Sequence, residues 1–448
     1  MAKCSRIEYR LHPLRDTLYN ELHIRPFHSL ESPQQITHLA ACCTSPEDLK
    51  KSYDLLCELC KRYGINPPQN DAVTYHQNFG DFIINWERHV EFYSLTILQP
   101  APSIGEPFQH TAVDLLPSDW MRELPGQIIA AFHIIIDDQQ LDYDTHSLVR
   151  SFEGHSVMRG STYAGKANIY TAFKLHGDGY GRFIINNLGM SELQTGRLSR
   201  RLMDLETYRL LSLLSLPIAK RIAPQLLNMD NLLAEILTAV ADLDTASSER
   251  QLLGKLTTIE AQLETYRAET THRFSATRAY HQLVKDRLER INEEKIEEHL
   301  SIGEFINRRL NPALRTSESI QKWMEDLSKR IERASDLMRT RVNLNLQEQN
   351  RSQLSAMNQR SKLQFRLQET VEGLSIAAIS YYAIGLLSYL FNGLPLQQWG
   401  LDKNVLLAGS IPVVLTTIWL VTRRIKNKLI KDQDTNEETA DKPKPAAS

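Results

Sequence analysis

A short acidic string that follows an apolar run is the clearest candidate for metal chemistry. Asp137, Asp138, Asp142 and Asp144 place four carboxylates within eight residues. Carboxylate oxygens bind Mg²⁺ or Ca²⁺, directly or through water, as a cytoplasmic cation sensor would require. The string lacks the glycine and the distal glutamate of an EF-hand loop. A solvated loop is therefore the favoured interpretation, and a divalent-cation site is the weaker one.

A second string has the glycine and lysine spacing of a phosphate-binding loop. Residues 160–166 read GSTYAGK. Ala167 stands where a hydroxyl side chain would bind Mg²⁺, and the residues from Asn168 onward favour a strand where a helix is required. The sequence argues against nucleotide binding at this place.

Other groups could act as acids, bases or ligands, but nothing in the sequence brings them together. Glu87, His89 and Glu91 alternate with a period of two, which would place them on one face of a strand. Structural ion pairs are favoured over catalysis, and no recognisable catalytic motif predicts an enzyme. The remaining candidates are His12, His23, His155, His176 and Asp178. The candidate cationic partners are Arg25, Arg88, Arg159, Arg182 and Arg209.

The cysteines give a weaker signal. Cys57 and Cys60 form a C-x-x-C pair, but the pair lies inside a predicted helix over residues 46–63, and no second pair completes a zinc site. With five cysteines in 448 residues, the chain lacks a disulfide framework. Ordinary thiols are favoured over metal or redox chemistry.

Composition and patterning predict the elements that must position these residues. Hydrophobic residues at 42% and charged residues at 24% are typical of folded proteins, and a net charge of −2 lacks the basic excess of nucleic-acid binders. Residues 72–187 read mainly as strands, with a hairpin at the Gly-Asp-Gly turn 177–179. Helices at 13–22, 46–63 and 118–124 flank them. The sequence predicts a cytoplasmic α+β domain over residues 1–190.

After residue 191 the apolar residues follow a helical period, which predicts a helical and coiled-coil stalk over residues 191–372. Pro217 and the pair Asn311-Pro312 should interrupt it. Apolar residues then recur near a 3.5-residue period and predict a seam for another helix, of the same chain or of another subunit. The seam consists of Ile320, Met324, Leu327, Ile331, Ala334, Met338 and Val342.

Two uncharged segments, 373–394 and 405–422, are long enough to cross a bilayer. Buried helices of a soluble core are the less favoured alternative. Cations precede the first segment and follow the second, so both ends should be cytoplasmic. These are Arg360, Lys362, Arg366, Arg423, Arg424, Lys426, Lys428 and Lys431. The prediction is a transmembrane hairpin with a short outer loop, then a tail over 423–448 that is first basic and then disordered.

The first predicted span carries a stripe of small and polar residues. It consists of Ser375, Ala378, Tyr382, Gly385, Tyr389 and Asn392. Such a stripe avoids lipid and meets protein or water. Packing against the second span or a neighbouring subunit is favoured. The alternative is a pore lining, in which Asn392 would offer an amide oxygen to a hydrated cation.

Five strings carry a resemblance to a known family. They are HPLRDTLYNELHIRP (12–26), NWERHVEF (85–92), IYTAFKLHGDGYGRF (169–183), ETYRLLSLLSLPIA (206–219) and VEGLSIAAISYYAIGLL (371–387). Together they resemble a bacterial family of uncharacterised membrane-anchored proteins, known only as a domain of unknown function. The resemblance implies a bacterial inner-membrane protein, and it implies no activity.

The order of the predicted parts is also similar to that of CorA-type magnesium channels. Those are homopentamers whose first span lines the pore and ends in a Gly-Met-Asn motif, where this chain has Phe391-Asn392-Gly393. By analogy alone, one hypothesis is a homo-oligomeric conduit for Mg²⁺ or another divalent cation. The alternative is a membrane-tethered cytoplasmic scaffold or sensor whose hairpin is only an anchor. Neither hypothesis calls for a further cofactor, a nucleotide or a nucleic acid.

Overall fold

The computed structural model describes most of the chain in two units. The described residues are 12–15, 18–19, 28–70, 72–101, 107–138, 143, 145–241, 246–296, 299–393 and 403–440. One unit extends to Met338 and the other begins at Arg339. Asp142, Asp144, His23, Arg25 and residues 395–402 of the predicted outer loop lie outside the described residues. The last two residues of that loop, Lys403 and Asn404, belong to a helix.

The first unit contains an eight-stranded mixed sheet. Its strands are β1 (Gln34–Cys42), β2 (Thr74–Asn78), β3 (Ile83–Arg88), β4 (Phe92–Pro100), β5 (Gln127–Asp137), β6 (Met158–Thr162), β7 (Ala167–Thr171) and β8 (Gly181–Asn187). The order is β2-β3-β4-β1-β5-β8-β7-β6, and only the β5–β8 pair is parallel. The predicted α+β class is confirmed for this unit, including the β7–β8 hairpin.

Strand β1 is a central strand that the sequence pattern does not predict. It pairs with β4 on one side and with β5 on the other. A strand buried on both faces usually reads as a continuous apolar run. Here Gln34, Gln35, Thr37 and His38 interrupt the run, although all four are buried.

Three of the described α-helices lie between strands of the sheet, and five follow the last strand. They are α1 (Pro46–Arg62), α2 (Ser118–Arg122), α3 (Thr145–Ser151), α4 (Glu192–Leu213), α5 (Ser215–Ala241), α6 (Ala246–Ile291), α7 (Ile302–Gly393) and α8 (Lys403–Ala440). Capping boxes begin α1 at Ser45 and α4 at Ser191, where each serine accepts a backbone N–H three residues on. These local signals explain why both starts are predictable.

The sheet is covered on both faces. Helix α1 packs on one face with Trp86 and Trp120 in the core. On the opposite face, α4 packs through Leu198, Leu202 and Leu205 against the apolar residues of β5 and β8, joined by the end of α6 and the start of α7. Side chains alternate between the faces along each strand, so each face has its own set of residues.

The heptad seam of α7 is filled by the same chain. From Ile320 to Met338 its residues form one buried cluster with α5 and α6. The apolar repeat thus belongs to a helical bundle within the first unit up to Met338. Of the two predicted partners, it is the intramolecular one that the described residues show.

Helix α7 begins earlier than the sequence predicts. Helix α6 ends at Ile291, where Asn292 adopts a left-handed φ of 50°, a conformation that ends helices. The Glu293 carboxylate then accepts the backbone N–H groups of Ile302 and Gly303 at 2.7 and 2.8 Å. These two hydrogen bonds satisfy backbone N–H groups in the first turn of α7. Pro312 lies inside the helix instead of before it.

The same connection closes one edge of the sheet. Ser161 on β6 and Glu294 exchange both backbone hydrogen bonds, with N–O distances of 3.2 and 2.7 Å. Residues 160–166, the string similar to a phosphate-binding loop, form the end of β6 and the turn into β7. Strand follows this turn, as the sequence predicts.

Three helical segments are long and apolar enough to cross a membrane, by length and composition only. They are Glu192–Val240, Ile302–Leu390 and Asn404–Ile425, of which the apolar windows are 33%, 6% and 0% buried. The first covers the sheet, and the other two contain the predicted spans. Helix α8 continues to Ala440, into the tail predicted to be disordered. The transmembrane hairpin stays a prediction.

Gly196 of α4 is required by a close approach of the chain at residue 28. A Cβ atom at this position would lie 2.0 Å from the His28 carbonyl oxygen. We expect Gly196→Ala to lower the free energy of unfolding by about 1–3 kcal/mol through overpacking. Gly254→Ala is the matched helical control, because nothing lies within 4 Å of its Cβ position. It should be neutral or slightly stabilising; equal losses in denaturant unfolding would contradict the close approach.

Candidate functional site

A row of polar side chains crosses four strands on the face that α4 covers. His76 on β2 lies opposite Asn85 on β3, which lies opposite Thr96 on β4. Thr96 in turn lies opposite His38 on β1. Residues opposite one another on adjacent strands share a face. The four side chains therefore form one row inside an otherwise apolar layer, where polar groups need partners.

His38 is the buried end of this row. Its Nδ1 lies 2.8 Å from the Thr96 hydroxyl, and its Nε2 lies 3.2 Å from the Thr207 hydroxyl on α4. Burial, helped by the charge of Arg200, lowers the pKa of His38 to about 3. The ring is neutral at physiological pH, so one nitrogen donates and the other accepts.

An ion-pair chain joins the sheet to two helices beside the row. Glu87 on β3 accepts two hydrogen bonds from Arg200 on α4, one of them 2.6 Å long. Arg200 Nε also donates to Asp204 at 3.1 Å, and Arg287 on α6 donates to Asp204 at 2.8 Å. Burial alone would raise the pKa of Glu87, but the hydrogen bonds and charge of Arg200 outweigh it and lower the pKa to about 2. The ion-pair chain thus contains two carboxylate side chains and two guanidinium side chains.

The polar row and the ion-pair chain line two adjoining cavities that share Arg200 and Met203. Their empty volumes are about 410 and 270 Å³, both open to solvent. We call the combined space the histidine cleft; its polar lining includes His28, His38, His76, Asn85, Thr96 and Arg200. Because both cavities open to solvent, these volumes include adjoining solvent.

Two stacked histidines line the larger cavity. The rings of His28 and His76 lie 3.6 Å apart with an interplanar angle of 8°. Burial lowers both pKa values, that of His76 to about 4 with a contribution from His28. A neutral imidazole offers one donor and one acceptor. Within the described ranges, no group of three or more His, Cys, Asp or Glu side chains could hold a metal ion.

The sequence identifies some of these groups but not their partners. Glu87 lies in the ion-pair chain, with His89 3.8 Å from it and stacked on Phe92. Glu91 is directed elsewhere and pairs with Arg273 of α6 at 3.1 and 3.2 Å. None of the cationic partners of Glu87 and Glu91 was among the candidates. They lie 113 and 182 residues away, a separation that no local pattern can reveal.

The remaining candidate groups that the structure describes do not line the histidine cleft. His12 is exposed. Asp178 pairs with Arg182 at 2.8 Å, as a structural ion pair. His155 and His176 lie near one another, with ring centroids 5.4 Å apart, and His176 hydrogen-bonds the Tyr180 carbonyl. The described contacts of His176 and Asp178 stabilise the turn between β7 and β8.

The acidic string and the cysteine pair lie in ordinary surroundings. Asp137 at the end of β5 accepts a hydrogen bond from the Tyr143 hydroxyl at 2.7 Å. Asp138 is exposed. Because two of the four carboxylates lie outside the described residues, the cation site stays a prediction.

Cys57 and Cys60 on α1 are free thiols. Cys60 is buried with Sγ 3.3 Å from the Tyr75 hydroxyl, and burial raises its pKa, which keeps the thiol protonated.

The predicted stripe on the first span lies in the second unit. Tyr382 and Tyr389 are 71% and 78% exposed, Ser375 and Asn392 are also exposed, and Gly385 is half-buried. The more buried residues of this segment lie elsewhere on the helix: Ile376, Ser380, Ala383, Ile384 and Leu387. The described part of the chain thus leaves most of the stripe uncovered. Whether it packs or lines a pore stays a prediction.

The sequence matches, over residues 10–429, the family described as "Protein of unknown function (DUF3422)". The chain belongs to this family. The resemblance carried by the five sequence strings is confirmed. The matched range contains the residues of the histidine cleft and of both predicted spans. No curated protein matches the sequence significantly.

The buried His38 predicts an acid-sensitive stability. The pKa of His38 in the folded state, about 3, lies below the usual histidine value of about 6.5, so the unfolded state binds the proton first. Stability should fall as pH drops below about 6.5, with a limiting slope of about 1.4 kcal/mol per pH unit. Denaturant unfolding of His38→Gln between pH 7 and 5 should show a shallower slope than wild type. His110→Gln, at an exposed position, should keep the wild-type slope; an unchanged slope in His38→Gln would refute a neutral buried imidazole.

The ion-pair chain predicts a large cost for removing one carboxylate. Glu87→Gln removes the negative charge that pairs with Arg200 between the sheet and α4. The free energy of unfolding should therefore fall by about 3 kcal/mol or more. Glu264→Gln breaks an exposed pair with Arg267 and should cost less than about 1 kcal/mol. Comparable losses in the two variants, measured in the same denaturant series, would show that burial does not matter here.

Proposed function

We propose that the protein is a homo-oligomeric, CorA-like membrane protein that conducts divalent cations, with the first span of each copy facing a shared path. The observation that carries the proposal is the uncovered stripe of Tyr382, Tyr389 and Asn392 in an apolar helix. Polar side chains within a span avoid lipid and face protein or water. If several copies were arranged around one axis, each stripe would contact a neighbouring copy and also face a water-filled path.

The proposed topology places the body of the chain in the bacterial cytoplasm. Helices α7 and α8 both contain segments apolar enough to span the inner membrane. Cations lie before the first segment and after the second, so both termini would be cytoplasmic by the positive-inside rule. Residues 395–404 would then form a short outer loop.

The chemistry of the stripe suits a hydrated cation. Neither span contains a carboxylate, and Mg²⁺ gives up its water ligands reluctantly. The amide of Asn392 and the tyrosine hydroxyls can hydrogen-bond the water shell without replacing it. Because Phe391-Asn392-Gly393 stands where CorA channels have Gly-Met-Asn, we expect a different ion selectivity from that family.

Flux into proteoliposomes tests the proposal. Mg²⁺ uptake should exceed that of empty vesicles and fall about tenfold in Asn392→Leu, since one ion–dipole contact of about 1.4 kcal/mol corresponds to a factor of ten. Ser380→Ala, which removes a hydroxyl on the buried side of the same helix, should retain the wild-type rate.

Two results would overturn the conduit. Equal uptake in empty and protein-containing vesicles would remove transport. A native mass corresponding to a monomer or a dimer in nanodiscs would also do so, because four spans or fewer do not enclose a path.

A second function, a membrane-tethered receptor, is supported by the histidine cleft. The cleft gives the cytoplasmic body an open cavity of about 410 Å³ with hydrogen-bonding walls, which a conduit alone does not need. In this case the spans are only an anchor. A foreign two-span anchor of the same topology should then restore the phenotype of a deletion strain, whereas a conduit would lose its function in that exchange.

A further inference from the structure

Two side chains that line the larger cavity of the histidine cleft keep their hydrogen-bonding capacity. The rings of His28 and His76 contact one another face to face, with centroids 3.6 Å apart. Within the described part of the chain, none of their four ring nitrogens forms a hydrogen bond to the protein. Each neutral imidazole therefore offers one donor and one acceptor to a molecule in the cavity.

Asn85 adds a third group, and its orientation is fixed. It lies opposite His76 on the neighbouring strand, and its Nδ2 donates to Glu87 at 3.0 Å. Because a carboxylate accepts from the amide nitrogen, the amide oxygen is the atom that remains as an acceptor. Side chains from β2, β3 and the segment before β1 thus present donors and acceptors to one space.

The segment that carries His28 is held against α4. Leu30 donates its backbone N–H to the Glu192 carbonyl at 3.1 Å. The His28 carbonyl lies so close to Gly196 that a Cβ atom at that position would overlap it. A binding wall that is already in place needs little further ordering when a ligand binds, which favours affinity.

The charges around this cavity do not select an ion. Arg200 is the one charged side chain in the described lining of the larger cavity. Its three nitrogens already donate to the carboxylates of Glu87 and Asp204, so the guanidinium is a poor anchor for an anion. Burial lowers the pKa of both His28 and His76, so their rings supply no positive charge at neutral pH.

The rest of the lining is mainly apolar. Leu30, Leu98 and Met203 are buried side chains that border the cavity. An apolar lining with a few convergent polar groups is typical of sites for small organic molecules. Flat rings suit the stacked imidazoles, because aromatic rings attract one another in offset stacks.

We infer that the larger cavity of the histidine cleft binds an uncharged, planar heterocycle with both donors and acceptors, such as a nucleobase. The inference names the ligand class of the membrane-tethered receptor and rests on that second proposed function. His28, His76 and Asn85 hydrogen-bond the edge of the heterocycle, and the apolar lining contacts its faces. The ligand enters from solvent, to which the cavity is open.

Equilibrium binding to the full-length protein in nanodiscs tests the ligand class. The probes are uracil, cytosine and adenine, with inorganic phosphate as the charged comparison and empty nanodiscs as the background. At neutral pH, at least one of the three heterocycles should bind saturably, and phosphate should stay at background.

Variants of the stacked pair test the residues. His76→Phe keeps a flat ring in the stack but removes both ring nitrogens. It should weaken binding about tenfold, the equivalent of one hydrogen bond of about 1.4 kcal/mol. His28→Phe makes the same test on the other ring, for the case that denaturant unfolding shows His76→Phe to be misfolded. His110→Phe, at an exposed position outside the lining of the cavity, should bind as wild type does.

Three results would overturn the inference. The first is no saturable binding of the three heterocycles up to about 5 mM, where a site with a Kd of about 1 mM would be mostly occupied. The second is tighter binding of phosphate than of any heterocycle. The third is wild-type affinity in a folded histidine-to-phenylalanine variant of the stacked pair.

The receptor and its ligand class fail separately. Binding that meets these expectations, in a protein whose phenotype a foreign anchor does not restore, would retain the ligand site and remove the anchor-only receptor. A restored phenotype without binding of any probe would retain the receptor and remove the ligand class.

Discussion

The arrangement of the first unit depends on one electrostatic requirement, the burial of Glu87 and Arg200 between sheet and helix. Removing an isolated ion from water costs several kcal/mol, which only a well-placed counter-ion offsets. Arg200 therefore lies over β3, and Asp204 brings in Arg287 from α6. Three elements distant in sequence are held in register by one chain of charges. Arg200 and Asp204 of this ion-pair chain also line the histidine cleft beside the apolar core.

Elements with a local signal could be predicted from the sequence. The capping boxes at Ser45 and Ser191 and the Gly-Asp-Gly turn are each complete within a few residues. Strand β1 has no such signal, because its polar side chains find their hydrogen-bond partners only after the chain has folded. His38 depends on Thr96 and Thr207, which lie 58 and 169 residues away. The histidine cleft escaped prediction for the same reason: its walls come from four strands and a helix.

Composition alone also does not distinguish an apolar helix that is buried in protein from one that spans a membrane. The segment Glu192–Val240 is apolar enough for a span, but it covers a sheet and a helical bundle. Helix α7 shows both cases in succession, with its seam buried up to Met338 and apolar residues exposed beyond it. The start of α7 likewise depends on the distant carboxylate of Glu293, which Pro312 alone could not indicate.

The short bridge between Ser161 and Glu294 limits how the protein can aggregate or assemble. An open sheet edge is a template for strand addition from another chain. At the β6 edge, the connection that leads into α7 already occupies the backbone groups of Ser161. Strand exchange through this edge is therefore blocked by the chain itself. Of the two edges of the described sheet, the short strand β2 is the one that remains for pairing with a strand of another chain.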